Sequence, residues 1–143
     1  TVESAGCAVS RVEGRQHYLR WDPLLGPGVV ESAGVETDLT LGFHDCIGFR
    51  RGLCRPFKLF DLASWQVSNV IERPLIAMDS SVVESDYSSV TEMHETYLEA
   101  FSSPAKWCRE VGGKFVLLWH YSFLKTAGHR RLYEAVLEFA VGN

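Results

Sequence analysis

No stretch of this chain approaches the roughly 20 consecutive apolar residues that a membrane-spanning helix needs. The N-terminal TVESAGCAVS also lacks a charged segment followed by an apolar one, so the expectation is a soluble, cytoplasmic chain without a leader. Basic charge is sparse. Fourteen Lys and Arg against 18 Asp and Glu give a net charge of -4, and the basic residues are scattered apart from the pairs Arg50, Arg51 and Arg130, Arg131. That distribution provides no electrostatic footprint for nucleic acid. The chain has no GxSxG elbow, no phosphate-binding P-loop and no GxGxxG run, which argues against an acyl-serine enzyme and a nucleotide enzyme. Its four cysteines, Cys7, Cys46, Cys54 and Cys108, include no CxxC pair. Cys46 with Cys54 is the nearest approach to a disulfide or zinc pair, and the alternative is that all four are small buried residues or free thiols. Repeats, low-complexity tracts and flexible linkers are absent as well.

What is present suits one domain spanning 1–143: 143 residues, 46% of them hydrophobic, suffice for a single core. SRVEGRQHYLRW reads as a strand running into a loop. VVESAG reads as a short helix whose start is delayed by Gly26, Pro27 and Gly28, with Gly34 placed for a C-cap at positive φ. From Glu36 to about Ser68 no clean period is visible. VIERPLIAMD is nearly continuous in apolar residues, as expected of a strand covered on both faces. In SSVTEMHETYLEAF, Ser89 and Glu92 form a capping-box pattern ahead of helical spacing. Pro104 is expected to open a second helix that Gly112 and Gly113 close. KFVLLWH then reads as a buried strand and HRRLYEAVLEFA as a final helix. Strand, helix, strand, helix in that order predicts an α/β fold with a parallel sheet.

In parallel sheets ligands gather beyond the carboxyl ends of strands. Asp79 and His120 each end an apolar strand, which places both on one rim. His120 is the candidate general acid or base, because an imidazole exchanges its proton near neutral pH. Its alternative is a strand-end histidine bonded to a loop, and that of Asp79 is a turn cap. A second concentration of chemistry lies in the blocks GRQHYLRW and DLTLGFHDCIGFRRGLC, where Arg15, His17, Arg20, Asp22, Asp38, His44, Asp45 and Arg50 are interleaved with aromatics and glycines. Arg20 with Asp22 forms at most an exposed ion pair of small worth. His94 and His129 carry no assigned function.

The order GRQHYLRWD, ETDLTLGFHDCIGFRRGLCRPFKLFD, RPLIAMDSSV, GGKFVLLWH resembles the C-terminal half of the polysaccharide deacetylase-like family (carbohydrate esterase family 4), in the branch found with bacterial cell-surface polysaccharide genes. The likeness runs from about Val9 to His120. It implies a partial, distorted (β/α) barrel with parallel strands and flanking helices, acting on an acetylated saccharide. It also implies a divalent metal, zinc or similar, that activates a water and polarises the acetyl carbonyl. The family's Asp-Asp motif and paired metal histidines are not visible here, so metal ligands are lacking and the sequence is expected to begin after those motifs. A barrel without its first strands would expose a sheet edge and invite self-association.

Residue by residue, the resemblance makes Arg15 with Tyr18 the Arg-x-x-aromatic motif, whose arginine positions the catalytic base. It makes Asp38 an orienting aspartate and His120, after Trp119, the general acid. His17, Tyr18, His44, Arg50 and Trp119 become candidates for binding the saccharide. The rings of Tyr18, Phe43, Phe49 and Trp119 can stack on sugar faces or simply fill the core. Two further possibilities stay open: a catalytically inactive saccharide-binding relative, and an interaction domain that borrowed the fold.

Overall fold

A computed structural model describes residues 11–82 and 94–141, apart from the side chains of His94 and Thr96. The chain packs into two compact units. One contains residues 11–41 with Pro56–Arg73, and the other contains Gly42–Arg55 with the described residues from Pro74 onward. The architecture is mixed α/β with parallel strands, and among the described residues there are three α-helices and no closed barrel. No described helix is long and apolar enough to cross a membrane.

The first unit is a four-stranded sheet in the order β1-β2-β4-β3, with β1 at Glu13–Gly14, β2 at Thr37–Asp38, β3 at Phe57–Asp61 and β4 at Gln66–Glu72. β1, β2 and β4 run parallel, while β3 pairs antiparallel with β4. Alternation along β4 sends Ser68, Val70 and Glu72 inward, since successive side chains of a strand face opposite ways. Helix α1, Gly26–Ser32, lies against β3 and β4. Proline sits in its first turn, where a missing N–H costs nothing, so the Gly-Pro-Gly run starts the helix rather than delaying it. Gly34 ends it at φ +76, the left-handed conformation anticipated for a C-cap. The core here is Val30, Leu41, Leu59 and Val70, flanked by Trp21, Val35 and Phe57.

In the second unit β5, Ala77–Met78, pairs parallel with β6, Leu117–Leu118. Helix α2, His94–Glu110, separates them in sequence and α3, Ala127–Val141, follows, giving the expected strand-helix-strand-helix order. Helix α2 buries Tyr97, Phe101, Ala105 and Cys108, whose spacings of four, four and three residues trace one face of a 3.6-residue turn. α3 answers with Leu132 and Val136, and Ala77 completes the cluster. The Thr126 hydroxyl accepts the His129 N–H at 3.1 Å and caps α3.

Cys54 and Cys108 share a second cluster with Ile76. Burial first, and then the Cys54 thiol, push the Cys108 thiol up to about 12. All three described cysteines are free. Cys46 is exposed while Cys54 is buried, so the Cys46–Cys54 pairing held open above is not formed.

Four expectations change. VIERPLIAMD is two strands, broken after Glu72, rather than one. The irregular stretch holds the β3–β4 hairpin. Its turn places Trp65 at φ +58 and is braced by Asp61, which accepts from the Ala63 N–H at 2.9 Å and the Ser64 hydroxyl at 2.7 Å. No Asn-Gly or Asp-Gly pair announces it. Pro104 lies inside α2 instead of opening a new helix, because the buried stripe continues across it. KFVLLWH contributes only a two-residue strand, and that strand is half-buried. The proposed Ser89/Glu92 capping box lies outside the described residues.

Phe101 is wholly buried at the centre of the second unit. Phe101→Ala should therefore lower unfolding free energy by ~3–5 kcal/mol in chemical denaturation. A loss below about 1 kcal/mol would show that α2 does not carry this core.

Candidate functional site

Parallel pairing of Ala77 with Leu117 and of Met78 with Leu118 brings the residues that follow β5 and β6 side by side. Asp79 opens a short 3₁₀ turn, Asp79–Ser81, and is completely buried. Its Oδ1 lies 2.6 Å from His120 Nδ1 and accepts the Ser80 N–H at 2.7 Å, while its Oδ2 accepts the His120 backbone N–H in a short contact. The two strand-end residues thus share one rim, as anticipated, and Asp79 combines a turn-capping role with a bond to the imidazole.

A carboxylate on Nδ1 fixes the neutral ring with its proton on that nitrogen. Nε2 is left as the atom through which His120 can take up or release a proton. The imidazole side chain is 45% exposed, against 0% for Asp79, so the dyad has a buried anchor and an accessible tip. Phe123 stands beside the ring at a centroid distance of 6.1 Å.

The other candidates of this unit separate by environment. Trp119 packs against Phe101 and Tyr133 at 5.7 and 5.1 Å and donates its indole N–H to the Phe123 carbonyl at 3.2 Å. It is part of the core wall behind His120. Phe49 likewise belongs to the Cys54 cluster. Arg50 donates to the Gly42 carbonyl at 3.0 Å and braces the loop. His44 is exposed, 3.9 Å from Asp45, and its carbonyl accepts from the Ser81 hydroxyl at 3.4 Å, one turn from Asp79.

Arg15 and Asp38 stand in the first unit. Asp38 is wholly buried, with Oδ1 accepting from the Thr40 hydroxyl at 2.8 Å and Oδ2 from the Thr40 N–H at 3.3 Å. The Thr40 oxygen in turn accepts the Gln16 N–H at 2.9 Å, so one hydroxyl links the Arg15 loop to the Asp38 carboxylate. Arg15 Nε donates to the Leu39 carbonyl at 2.9 Å. Burial pulls its guanidinium below the ordinary value, and the charges of Asp38 and Glu72 act in the opposite direction.

His17 and Tyr18 form an exposed 3₁₀ turn with ring centroids 4.2 Å apart, and Tyr18 lies at φ +58. Asp22 makes no ion pair with Arg20 among the described residues. It accepts the N–H groups of Leu24 and Leu25 at 2.8 and 3.0 Å, which hold its carboxyl below the usual range.

Sequence reasoning missed Thr40 and Glu72. Glu72 is fully buried and accepts the Leu41 N–H at 3.0 Å. It follows Ser68 and Val70 on the inner face of β4, a placement that hydrophobic alternation does not announce. Among the described residues no group of three or more His, Cys, Asp or Glu side chains could hold a metal ion, so the divalent ion implied by the resemblance finds no ligand set there. Comparison of the chain with protein-family models, with curated proteins and with solved structures yields no significant match.

Thr40→Val keeps the shape of the side chain but removes the oxygen that joins Gln16 to Asp38. It should cost ~1–3 kcal/mol in denaturant unfolding, the penalty of leaving a buried acceptor unmet. An unchanged midpoint would show that the relay carries no stability.

Proposed function

We propose that the chain is a polysaccharide deacetylase-like hydrolase that removes acetyl groups from a carbohydrate, with His120 as general acid and a fold that is part of a distorted (β/α) barrel. The observation that carries this reading is the Asp79–His120 dyad: a buried carboxylate on Nδ1, an accessible ring, and a position just beyond two parallel strands. Hydrolysis adds water across the acetyl bond. The water oxygen joins the acetyl carbon, the bond to the sugar oxygen or nitrogen breaks, and the departing atom takes a proton as acetate leaves. His120 supplies that proton from Nε2, and Asp79 keeps the ring oriented and compensates the positive charge that the doubly protonated ring carries.

Arg15 and Asp38 keep the roles that the resemblance gives them, Arg15 positioning the catalytic base and Asp38 orienting its neighbours. The half-buried guanidinium and the fully buried carboxylate suit groups that hold geometry rather than meet solvent. Exposed Tyr18, His17 and His44 are the surfaces offered to a saccharide.

A second reading is an inactive saccharide-binding relative, which the exposed Tyr18 and His44 would serve equally well.

Acetate release from acetylated mono- and oligosaccharides, with and without added zinc or cobalt, tests the enzyme reading. His120→Ala should lower the rate by ~10²–10⁴, the usual worth of a positioned proton donor. Asp79→Asn should lower kcat with little change in KM, because the amide no longer selects the tautomer. Saccharide binding without acetate release in the folded, metal-supplied protein would favour the inactive relative.

A further inference from the structure

An apolar cavity of about 790 Å³ opens in the second unit, between the segment 47–55 and the face of α2 that carries Ala100, Ser103, Pro104 and Trp107. Its volume falls within the ~300–1,000 Å³ typical of small-molecule sites. Ile47, Phe49, Leu53, Trp107 and Val111 supply most of the wall. Three of them remain exposed in part, Trp107 by 61%, Val111 by 48% and Leu53 by 38%. Isolated exposed apolar residues are ordinary, but several gathered around one concavity are what a binding site looks like.

The polar equipment is sparse and of one sign. Ser103 offers a hydroxyl, the Cys54 thiol is buried against Cys108, and among the described residues of the wall Arg55 is the only charged group. Arg55 is held by the Val111 carbonyl, which accepts from Nε at 2.9 Å and from Nη2 in a short contact. Among the described residues it makes no ion pair. A guanidinium anchored by part of its donor fork, at the edge of an apolar cavity, has donors left for an anion. A sugar or nucleotide needs many polar partners, and these walls do not provide them.

We infer that this cavity binds an aliphatic carboxylate, a medium-chain fatty acid anion whose chain lies along Phe49, Leu53 and Trp107 and whose head group meets Arg55. The site is separate from the Asp79–His120 dyad in its residues and does not depend on the hydrolase reading. Burying a methylene tightens binding about fourfold, so affinity should climb by about that factor with each carbon that the cavity covers.

The test titrates the full chain with octanoate, decanoate and dodecanoate below their aggregation concentrations, following heat and Trp107 fluorescence, with decanol as the uncharged control. Saturable one-to-one binding, tightening by about fourfold per methylene with a blue shift lost in Trp107→Phe, is expected. Arg55→Gln should weaken decanoate at least about fivefold without affecting decanol, and Arg55→Lys should restore much of the loss, since the charge returns. Ser103 is exposed, so Ser103→Trp can fill the cavity without entering the core, and it should abolish binding with the melting temperature unchanged. No saturable binding, or binding indifferent to Ser103→Trp and Arg55→Gln, overturns the inference. So does a concentration-dependent dimer that Ser103→Trp disrupts, because the cavity would then be occupied by a second copy.

Discussion

Placing a carboxylate where no water reaches it constrains everything around it, and Asp79 is such a group. An ionised carboxylate in an apolar interior is strongly disfavoured unless its oxygens are met by donors. Here they are met by the Ser80 N–H, the His120 N–H and the His120 ring. Two of those donors come from the residue beyond β6, so the β5–β6 register and the seating of Asp79 depend on each other. A slip by one residue would turn side chains to the opposite face and leave the acid unmet. The helix pair beneath holds that register through Ala77, Phe101, Leu132 and Val136. Packing, strand pairing and the orientation of the imidazole form one constraint.

The first unit uses the same device without a histidine. Asp38 and Glu72 are both fully buried, with both Asp38 oxygens met by Thr40 and Glu72 Oε1 met by the Leu41 N–H. Their negative charge faces the half-buried Arg15, held in turn by the Leu39 carbonyl. Arg73 reaches across to Glu13 at 2.9 Å, but that pair is partly open to solvent and contributes little. Each unit therefore builds its polar interior at the ends of parallel strands, where chain direction delivers different segments to one place.

The helical part of the fold was open to sequence reading wherever burial is periodic. Tyr97, Phe101, Leu132 and Val136 mark their faces, and Gly34 and Gly112 mark helix ends at positive φ. Asp79 and His120 could be placed together because each closes an apolar run. The hairpin of β3 and β4 stayed hidden for a physical reason: the inner face of β4 carries Ser68 and Glu72 beside Val70, so alternation in hydrophobicity fails although burial alternates from Val67 to Glu72. Pro104 misled because the loss of one helical hydrogen bond is outweighed by a stripe of contacts running past it. Thr40 and Glu72 were unreadable as a relay, since their partners are Gln16, Asp38 and Leu41, distant in sequence or masked by ordinary polarity.

The buried Asp79 carboxylate fixes the tautomer of His120. Long-range ¹H–¹⁵N correlation spectra of the uniformly labelled protein, with His120→Gln identifying the signals, test it directly. The neutral His120 ring should carry its proton on Nδ1, with a strongly downfield proton resonance, and lose that preference in Asp79→Asn. A ring protonated on Nε2, or one averaging between tautomers as a free imidazole does, would contradict it.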